Sequence, residues 1–579
     1  MIKSKACLSR YSMLILLITG ILSACNSGSS DHNKEVESQN VKQDTLDKSQ
    51  ARAHESEIND SKVALATAPL GPELPQGPII SSPPPGYILD ADGSKYKNYS
   101  NNSIKQVIAE PVSTFSLDMD TASYAITRSY LSQDRLPQPD AVRVEEFINY
   151  FPAATNEQLK PLPGSPFAAT YELTPSPWNA NKVLLRVNIK AAQTNYDQSP
   201  PANLVFLIDT SALMYGEDRL GLIQKSLKYL VDQLRPQDKV SIVKGLGIGD
   251  VALEPTSGSN KAKILAAINK LEMDGGIVAG KVDGEVNGEE LKMAYKMAER
   301  AKVKNGINRI LFASYGGNFF HINNHIEELK ALISDEKVKG ITLSTLGFGM
   351  RNLNDELMMQ IADVGDGNYS YIDNLKEGQK VLQEEMSATL VTVAKDVKAQ
   401  IEFNPSQVLE YRQIGYEKRQ LKQEDFNNDK VDAGDIGSGK NVTLLYELTL
   451  VGAKPSIDPL RYQSQSSKLN VSQNDEIVFL KLRWKAPNGK TSALVSLPIE
   501  KTALSSSFER AGTETRFLTA VAAFGQKLRN NPELSQISYE QIADWANHAK
   551  GNDPHGYRSE FVALVRKTAE LTRNRVIHF

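Results

Sequence analysis

Between residues 204 and 372 the sequence alternates short apolar runs with amphipathic segments, and this alternation constrains the fold more than any other feature. Residues 204–208 form an unbroken apolar run, which is typical of a strand covered on both faces. Apolar residues then recur at helical spacing through residues 220–234. Similar patterns predict strands at 240–243, 310–313, 341–346 and 369–372, and helices at 262–271, 290–300, 326–334 and 354–364. Such alternation predicts an α/β, Rossmann-like fold: a doubly wound, mainly parallel sheet with helices on both faces.

The segments on either side of this region have a different periodicity. Upstream, the sequence predicts strands at 115–120, 170–173 and 183–189 and helices at 122–131 and 143–151. Downstream, a long helix is predicted to end near residue 395, and strands are predicted at 397–403, 441–450, 476–484 and 492–499. We expect a β-sandwich that shares strands with the region before residue 201, so that the α/β region is an insertion between its two halves. Residues 508–573 return to helical spacing and predict a C-terminal helical region.

The first residues read as an export signal. A basic start precedes an apolar stretch at 13–22, which is too short to span a bilayer because spanning takes roughly 20 apolar residues. The stretch ends in Leu22-Ser23-Ala24-Cys25, which resembles the lipobox of bacterial lipoproteins. That resemblance implies cleavage before Cys25, its acylation, and a lipoprotein anchored to a membrane outside the cytoplasm. Asn26 replaces the Asp that retains such lipoproteins at the inner membrane, which favours the outer membrane and periplasm if the host is Gram-negative. The alternative is an ordinary signal peptide with an incidental cysteine.

Composition argues against disulfides, cysteine metal sites and nucleic-acid binding. The chain has two cysteines; Cys7 leaves with the signal and Cys25 would carry lipid, so neither a disulfide nor a cysteine metal site is expected. The formal net charge of −3 gives no argument for nucleic acid. Residues 25–103 are polar and turn-rich, which predicts a flexible tether. We therefore divide the chain into a signal peptide (1–24), this tether, an N-terminal module (104–200), the α/β domain (201–395), the sandwich region (396–504) and a helical module (505–579).

The first predicted strand runs into Asp209-Thr210-Ser211-Ala212-Leu213, at the edge where open α/β sheets bind their ligands. This segment resembles the von Willebrand factor A (vWA) family, whose first strand ends in Asp-x-Ser-x-Ser. Residues 111–116, 118–124, 144–151, 201–206, 425–429 and 553–558 also resemble segments of bacterial vWA-domain lipoproteins, the last in a C-terminal module of unknown function. The resemblance implies a binding domain in which these side chains, a threonine of a second loop and an aspartate after a later strand surround a divalent cation. A partner's carboxylate often completes that shell.

The sequence departs from the vWA pattern at the ligand positions. Leu213 stands at the second serine, Val278 at the threonine and Tyr315 at the later aspartate. Mg²⁺ requires a near-octahedral set of oxygens, which Leu213 and Val278 do not provide. A tyrosine phenol is neutral at neutral pH and is longer than the carboxylate it replaces. Asp209 and Ser211 remain, and they are too few for specific binding, so we predict that Mg²⁺ is absent.

Loss of the cation has consequences for the side chains around it. A buried Asp209 needs another partner, and we expect hydrogen bonds from backbone N–H groups of its own loop or from Ser211. Leu213, Val278 and Tyr315 are expected to converge on one apolar and aromatic rim. The acidic stretch 281–290 is interpreted as a solvated loop, with a displaced cation site as the alternative.

Other motifs in the sequence lack residues that ligand binding or catalysis requires. Residues 275–281 match a P-loop, but Val282 stands where a Mg²⁺-binding hydroxyl is needed, which argues against a nucleotide ligand. Residues 425–429 begin like a calcium loop without its glycine and glutamate, so an Asx-rich turn is favoured over a loose Ca²⁺ contact. His321 and His325 have no third metal ligand and are interpreted as solvated. The sequence contains no nucleophile elbow and no evident acid/base pair, so we predict no enzymatic activity.

Taken together, the sequence predicts a membrane-anchored, non-enzymatic vWA lipoprotein that binds an unidentified protein partner at the cell envelope. One alternative is a metal-dependent adhesion or receptor protein that uses the residual Asp209 and Ser211. Another is a structural scaffold of the envelope without a discrete partner.

Overall fold

The computed structural model describes residues 87–89, 93–117, 119–151, 159–245, 249–273, 288–316, 326–349, 352–458 and 475–577. The predicted signal peptide, Cys25 and most of the predicted tether lie outside these ranges. Before the α/β region the elements are β1 (Tyr87–Leu89), β2 (Lys95–Lys97), β3 (Lys105–Gln106), β4 (Val112–Ser116), α1 (Ala122–Ser132), α2 (Val144–Tyr150), β5 (Lys160–Pro161), β6 (Phe167–Pro175) and β7 (Val183–Ala191).

The predicted tether extends too far towards the folded part. Strand β2 lies within 25–103, yet its Tyr96 is 1% exposed and packs in the core of the α/β region. The backbone N–H of Lys95 also donates to the carbonyl of Leu353 at 2.7 Å. Tyr96, an aromatic residue in a short polar segment, indicated a buried strand, but the prediction of the tether relied on composition alone.

The α/β region confirms the predicted architecture. Its elements are β8 (Ala202–Asp209), α3 (Leu220–Gln233), β9 (Lys239–Gly245), β10 (Asp250–Ser257), α4 (Lys261–Asn269), α5 (Glu289–Arg300), β11 (Ile307–Ser314), α6 (Ile326–Val338), β12 (Thr342–Gly347), α7 (Asp355–Val364) and β13 (Tyr369–Tyr371). The strand order is β10-β9-β8-β11-β12-β13. Every neighbouring pair is parallel except β10 and β9.

Strand β8 explains why the apolar run at 204–208 has no polar alternation. Val205 and Leu207 pack into the core beneath α5, α6 and α7. Leu204, Phe206 and Ile208 pack into a second core on the opposite face, beneath α3 and α4. Both faces of the strand are therefore covered, which a parallel sheet requires.

The remaining elements follow β13. They are α8 (Leu375–Gln379), α9 (Met386–Leu390), β14 (Thr392–Phe403), β15 (Val408–Ile414), β16 (Ile436–Gly437), β17 (Asn441–Leu450), β18 (Glu476–Lys485), β19 (Ser492–Glu500), α10 (Thr513–Leu528), α11 (Tyr539–His548) and α12 (Tyr557–Ile577). A single π-helical turn, Lys380–Glu384, separates α8 from α9.

Two predicted elements and one domain boundary were wrong, and one strand was not predicted. The long helix expected to end near residue 395 is broken at the π turn and ends at Leu390, because the β-branched residues 391–393 favour the extended strand β14. The boundary placed at 395/396 therefore falls inside a strand. The strand expected at 115–120 is β4 and ends at Ser116. Strand β10 was missed because it is an edge strand with few buried residues and a proline, Pro255.

The flanking strands form the expected β-sandwich. One sheet has the order β16-β14-β18-β19, with β4 paired to β14, and the other has the order β3-β15-β17-β7-β6-β5. The inner faces of both sheets share one hydrophobic core, which includes Phe115, Val187, Ile401 and Leu444. Because strands from before residue 201 and after residue 391 lie in the same sheets, the α/β region is an insertion in the sandwich.

Helices α10, α11 and α12 pack with α2 around a further core, which also takes Tyr124 and Leu131 of α1. The other side of α1, with Ala122 and Ile126, belongs to the core of the α/β region. Helix α1 is thus shared by two modules. Within the described ranges, no helix is both long and apolar enough to cross a bilayer.

Arg128 of α1 joins these modules through a buried cluster of charges. Its guanidinium donates to both oxygens of Asp373, at 2.8 and 2.5 Å, and to Glu377 at 2.8 Å, both just after β13. It also donates to Glu560 of α12 and to the hydroxyl of Tyr150, each at 2.9 Å. The Arg128 side chain is 6% exposed. One cation therefore neutralises carboxylates from the α/β region and from the helical module.

We expect Arg128→Met to lower the free energy of unfolding by about 3–5 kcal/mol, because it leaves the buried carboxylates without their cation. Arg300→Met is the matched control: the Arg300–Glu254 pair is 52% and 56% exposed, and removal of such a pair costs about 0–1 kcal/mol. Urea unfolding followed by tryptophan fluorescence measures both. Equal losses in the two variants would contradict the assignment of Arg128 as the link between modules.

Candidate functional site

The candidate site lies at the carboxyl edge of the parallel sheet, where β8 and its neighbour β11 end. Strand β8 leads through Thr210 and Ser211 into a short 3-10 turn, Ala212–Met214. Strand β11 leads into a second loop at Tyr315 and Gly316. Because β8 and β11 are paired in parallel, these two loops lie side by side.

Asp209 is turned inward and is fully buried. Its carboxylate accepts a hydrogen bond from the backbone N–H of Ser211 at 2.9 Å, which confirms the partner expected from the sequence. The hydroxyl of Ser314 donates to the other oxygen at 2.7 Å and itself accepts from the N–H of Gly316 at 2.9 Å. Burial nevertheless raises the pKa of Asp209 above its usual range, against the effect of these hydrogen bonds.

Tyr315 does not lie on a rim, and that prediction was wrong. The side chain is 1% exposed and packs in the core with Ile208, Met214 and Phe348. Gly316 follows with a φ of +72°, a conformation that favours glycine. At the position where the vWA pattern has an aspartate that binds the cation, this chain therefore has a tyrosine that packs in the hydrophobic core. Val278 lies outside the described residues.

The exposed part of the first loop contains two large apolar or aromatic side chains, which the acidic and also exposed Glu217 and Asp218 follow. Leu213 is 40% exposed, and Tyr215 is 75% exposed. Arg219 donates to the carbonyl of Leu213 and lies 6.0 Å from the ring centre of Tyr315. Tyr215 was missed by the sequence analysis because an isolated exposed aromatic residue leaves no periodic signal.

Glu290 is a second residue that the sequence analysis misread. It was assigned to a solvated acidic loop, but it is fully buried at the start of α5, next to Gly249. Neither carboxylate oxygen has a hydrogen-bond partner among the described residues. Burial raises the pKa of Glu290 to about 7, and the charge of Asp209 adds to the shift. The edge thus holds two carboxyl groups that resist ionisation.

The described residues do not fit the divalent cation that the vWA pattern implies. Both oxygens of Asp209 are engaged by Ser211 and Ser314, and Leu213 supplies no oxygen. Across the described ranges, no three acidic, histidine or cysteine side chains are grouped as metal ligands. A near-octahedral Mg²⁺ shell needs more oxygens than this edge provides.

The other motifs are only partly covered by the structure. Residues 275–282 and both His321 and His325 lie outside the described ranges. In the calcium-like segment, Asp429 pairs with Arg483 at 3.0 Å, and Asn428 accepts from the N–H of Lys430 as in an Asx turn. These contacts favour the Asx-rich turn.

Comparison with known proteins identifies three family models along the chain. The model "von Willebrand factor" matches residues 90–186, "von Willebrand factor type A domain" matches residues 204–317, and "Uncharacterized protein YfbK, C-terminal" matches residues 388–571. The chain is 49% identical to the uncharacterized protein YfbK of Escherichia coli (strain K12) over 490 residues, or 84% of this chain and 83% of that protein.

Two more distant proteins are also similar. The uncharacterized protein sll0103 of Synechocystis is 28% identical over 193 residues, which cover 33% of this chain and 43% of that protein. The crystal structure of a von Willebrand factor type A protein from Catenulispora acidiphila aligns with a TM-score of 0.37 at 14% identity, over 69% of this chain and 89% of that one.

The buried Glu290 leads to a pH prediction. Its pKa is raised to about 7, so the native state holds this proton more tightly than the unfolded chain does. Stability should therefore fall as the pH rises from about 5 to about 7, by at most about 1.4 kcal/mol for each unit by which the pKa is raised. Urea unfolding at several pH values measures this slope.

Glu290→Gln should remove its share of that slope, because the amide does not titrate. Glu299→Gln, near the other end of α5, serves as the control, since Glu299 is exposed and pairs with Lys339 at the surface. A Glu290→Gln variant with the wild-type slope would show that Glu290 ionises normally.

Proposed function

The chain belongs to the family of the uncharacterized protein YfbK, which contains von Willebrand factor type A domains, and from that premise we propose that it is a non-enzymatic protein-binding module anchored at the cell envelope. The observation that carries the proposal is the orientation of the side chains at the carboxyl edge, which is the reverse of that expected for a cation site. The acidic side chain of Asp209 faces inward, and the apolar Leu213 and Tyr215 face solvent.

The exposed loop has the properties of a contact surface. Tyr215 offers a large amphipathic side chain of the kind enriched at protein interfaces. Arg219 holds the loop through the carbonyl of Leu213, so the two exposed side chains are carried on a fixed backbone. A partner that packs on them would be bound by apolar contact and hydrogen bonds, without a bridging cation.

The absence of catalysis is part of the proposal. Asp209 and Glu290, the two carboxyl groups of this edge whose pKa is raised, are both fully buried and cannot reach a substrate in solution. A general acid or base has to come within hydrogen-bond distance of the reacting group.

Metal-dependent adhesion remains the second candidate, because one observation favours it. Glu290 is a buried carboxylate that has no hydrogen-bond partner among the described residues, and the charge of Asp209 contributes to its raised pKa. Unsatisfied buried oxygens are rare and sometimes mark an ion. In this second candidate function, Asp209 and Glu290 together form a displaced cation site whose residues differ from those of the vWA pattern.

We also propose that Cys25 carries the lipid anchor. Several acyl chains hold a protein stably at a membrane surface, since each buried CH₂ contributes about 0.8 kcal/mol. We further propose that in a Gram-negative host the protein is anchored at the outer membrane, because Asn26 stands where an Asp would retain it at the inner membrane. The proposal rests on the lipobox-like sequence that ends at Cys25.

The contact surface predicts the outcome of a crosslinking experiment in the native host. A photo-crosslinker at Ala212, beside the exposed side chains, should capture a discrete partner in the tethered protein. Leu213→Ser and Tyr215→Ser together should reduce the yield at least about fivefold, because the apolar contacts are lost. The matched control is Val338→Ser: Val338 is 85% exposed but lies at the end of α6, at the opposite edge of the sheet.

Addition of EDTA separates the two candidate functions. Capture that persists in EDTA supports cation-free binding. Capture that is lost in EDTA and in Glu290→Gln, but kept in the Leu213/Tyr215 variant, would replace our proposal with metal-dependent adhesion. Absence of a discrete product would favour the structural scaffold.

The anchor is tested separately. Cys25→Ser should move the protein from the membrane fraction to the soluble fraction and abolish incorporation of labelled palmitate. Cys7→Ser is the control, because Cys7 precedes the predicted cleavage site and its loss should leave both properties unchanged. Membrane attachment of Cys25→Ser without label would show that another element anchors the chain.

A further inference from the structure

A cavity of about 260 Å³ lies where the α/β region meets the sandwich, and we call it the seam cavity. The turn between α7 and β13 forms one side, at the amino edge of the sheet, so the cavity is separate from the carboxyl edge. Val364, Leu421 and Ala433 give it an apolar part. Its charged lining residues are Asp363, Asp366, Lys418, Arg419, Asp432 and Asp435.

The basic residues of the lining already have partners. Lys418 and Arg419 each lie 3.0 Å from the carboxylate of Asp363. Arg419 also pairs with Asp120 at 3.2 Å. Burial opposes ionisation of Asp363, yet the charges of Arg419 and Lys418 hold its pKa below the usual range. This side of the cavity is therefore balanced and offers no free cation to an anionic ligand.

The opposite side holds carboxylates that are less well compensated. Lys337 lies 2.9 Å from both Asp366 and Asp432. Lys395 lies 3.1 Å from Asp366 but 3.7 Å from Asp435, beyond hydrogen-bond distance.

Asp435 is the group left without a full set of partners. One oxygen accepts from the N–H of Asp396 at 3.2 Å, and the other has no hydrogen-bond donor among the described residues. The side chain is 8% exposed. Arg309 is the remaining cation nearby, but it donates to Thr342, Ser344 and the carbonyl of Thr389 instead. A further hydrogen-bond donor with positive charge would stabilise the ionised form of this buried carboxylate.

We propose that the seam cavity binds an alkylammonium group, with Asp432 and Asp435 as acceptors and with Val364 and Leu421 along the alkyl chain. An ammonium group has three donors, which suits carboxylates that approach from different sides. A metal ion suits the site less well, because its shell needs about six oxygens and Lys337 and Lys395 already engage oxygens of Asp366 and Asp432. No three acidic side chains are grouped as metal ligands in the described part of the chain.

Binding should depend on pH. Burial raises the pKa of Asp435 to about 7, with Asp366 adding to the shift, and burial together with a hydrogen bond to Asp396 raises the pKa of Asp432 to about 6. The facing cations are Lys337 on α6, Lys395 on β14, Arg309 on β11 and Lys485 on β18, which pairs with Asp396 at 2.6 Å. Because both acceptors ionise between pH 6 and 8, an ammonium group should bind more tightly at pH 8 and release protons as it binds.

The test is isothermal titration of the full-length protein in detergent with butylamine, and with butan-1-ol as the neutral molecule of the same length. We expect saturable binding of butylamine alone, weaker at pH 6 than at pH 8, and weakened at least about tenfold in Asp432→Asn. Asp232→Asn, at an exposed position of α3, is the control and should bind as the wild type does. A lysine-containing peptide with blocked ends is titrated as well. Tighter binding of the peptide than of butylamine indicates that the natural ligand is a lysine side chain of a protein, and weaker binding indicates that it is a free amine.

The proposal fails if butylamine and butan-1-ol bind equally, or if neither binds. It also fails if Asp432→Asn leaves butylamine binding unchanged, or if Ca²⁺ competes with butylamine at a lower concentration, which would assign the cavity to a metal ion. Thermal unfolding of both variants shows that each is folded under the conditions of the titration.

Discussion

The arrangement of the modules depends on the buried guanidinium of Arg128. The cluster brings together side chains from four separated parts of the chain: Arg128 itself, Tyr150, Asp373 with Glu377, and Glu560. A buried ion pair is no stronger than good hydrophobic packing, but loss of one partner is costly because the remaining charges stay buried. The cluster therefore specifies one docking geometry: any other orientation of the helical module would bury carboxylates without a cation. The α/β region is held as part of one folded unit, and its carboxyl edge is presented in a fixed direction.

At the carboxyl edge, hydrogen bonds and packing take the roles that a cation has in the vWA pattern. Ser314 and the N–H of Ser211 satisfy Asp209, and Tyr315 fills the space of the later aspartate with an aromatic core residue. These changes support one another: a carboxylate at 315 would be buried beside Asp209 without compensation. The result is an edge where Asp209 is internal and where the exposed side chains include Leu213 and Tyr215 as well as the acidic Glu217 and Asp218.

The sequence predicts well what depends on periodicity and poorly what depends on neighbours distant in the chain. The apolar run of β8 could be assigned because both faces of that strand are buried, and the partner of Asp209 could be expected because it lies two residues away. The burial of Tyr315 depends on Phe348 and Met214, and the burial of Glu290 depends on the approach of Gly249. The seam cavity joins residues from α7 and two loops of the sandwich, and no spacing in the sequence relates them.

The topology explains why the two proposed surfaces lie at opposite edges of the sheet. The chain enters the α/β region at the amino end of β8, and after β13 the segment 375–390 leads back to the amino edge, where β14 begins in the sandwich. Both connections are therefore on the amino side, and the sandwich closes that side and forms the seam cavity with it. On the carboxyl side, Arg128 links Glu560 of the helical module to Asp373 and Glu377, which follow the outermost strand β13. Leu213 and Tyr215, on the loop after β8 nearer the middle of the sheet, are exposed among the residues that the structure describes, so a protein partner can reach them there.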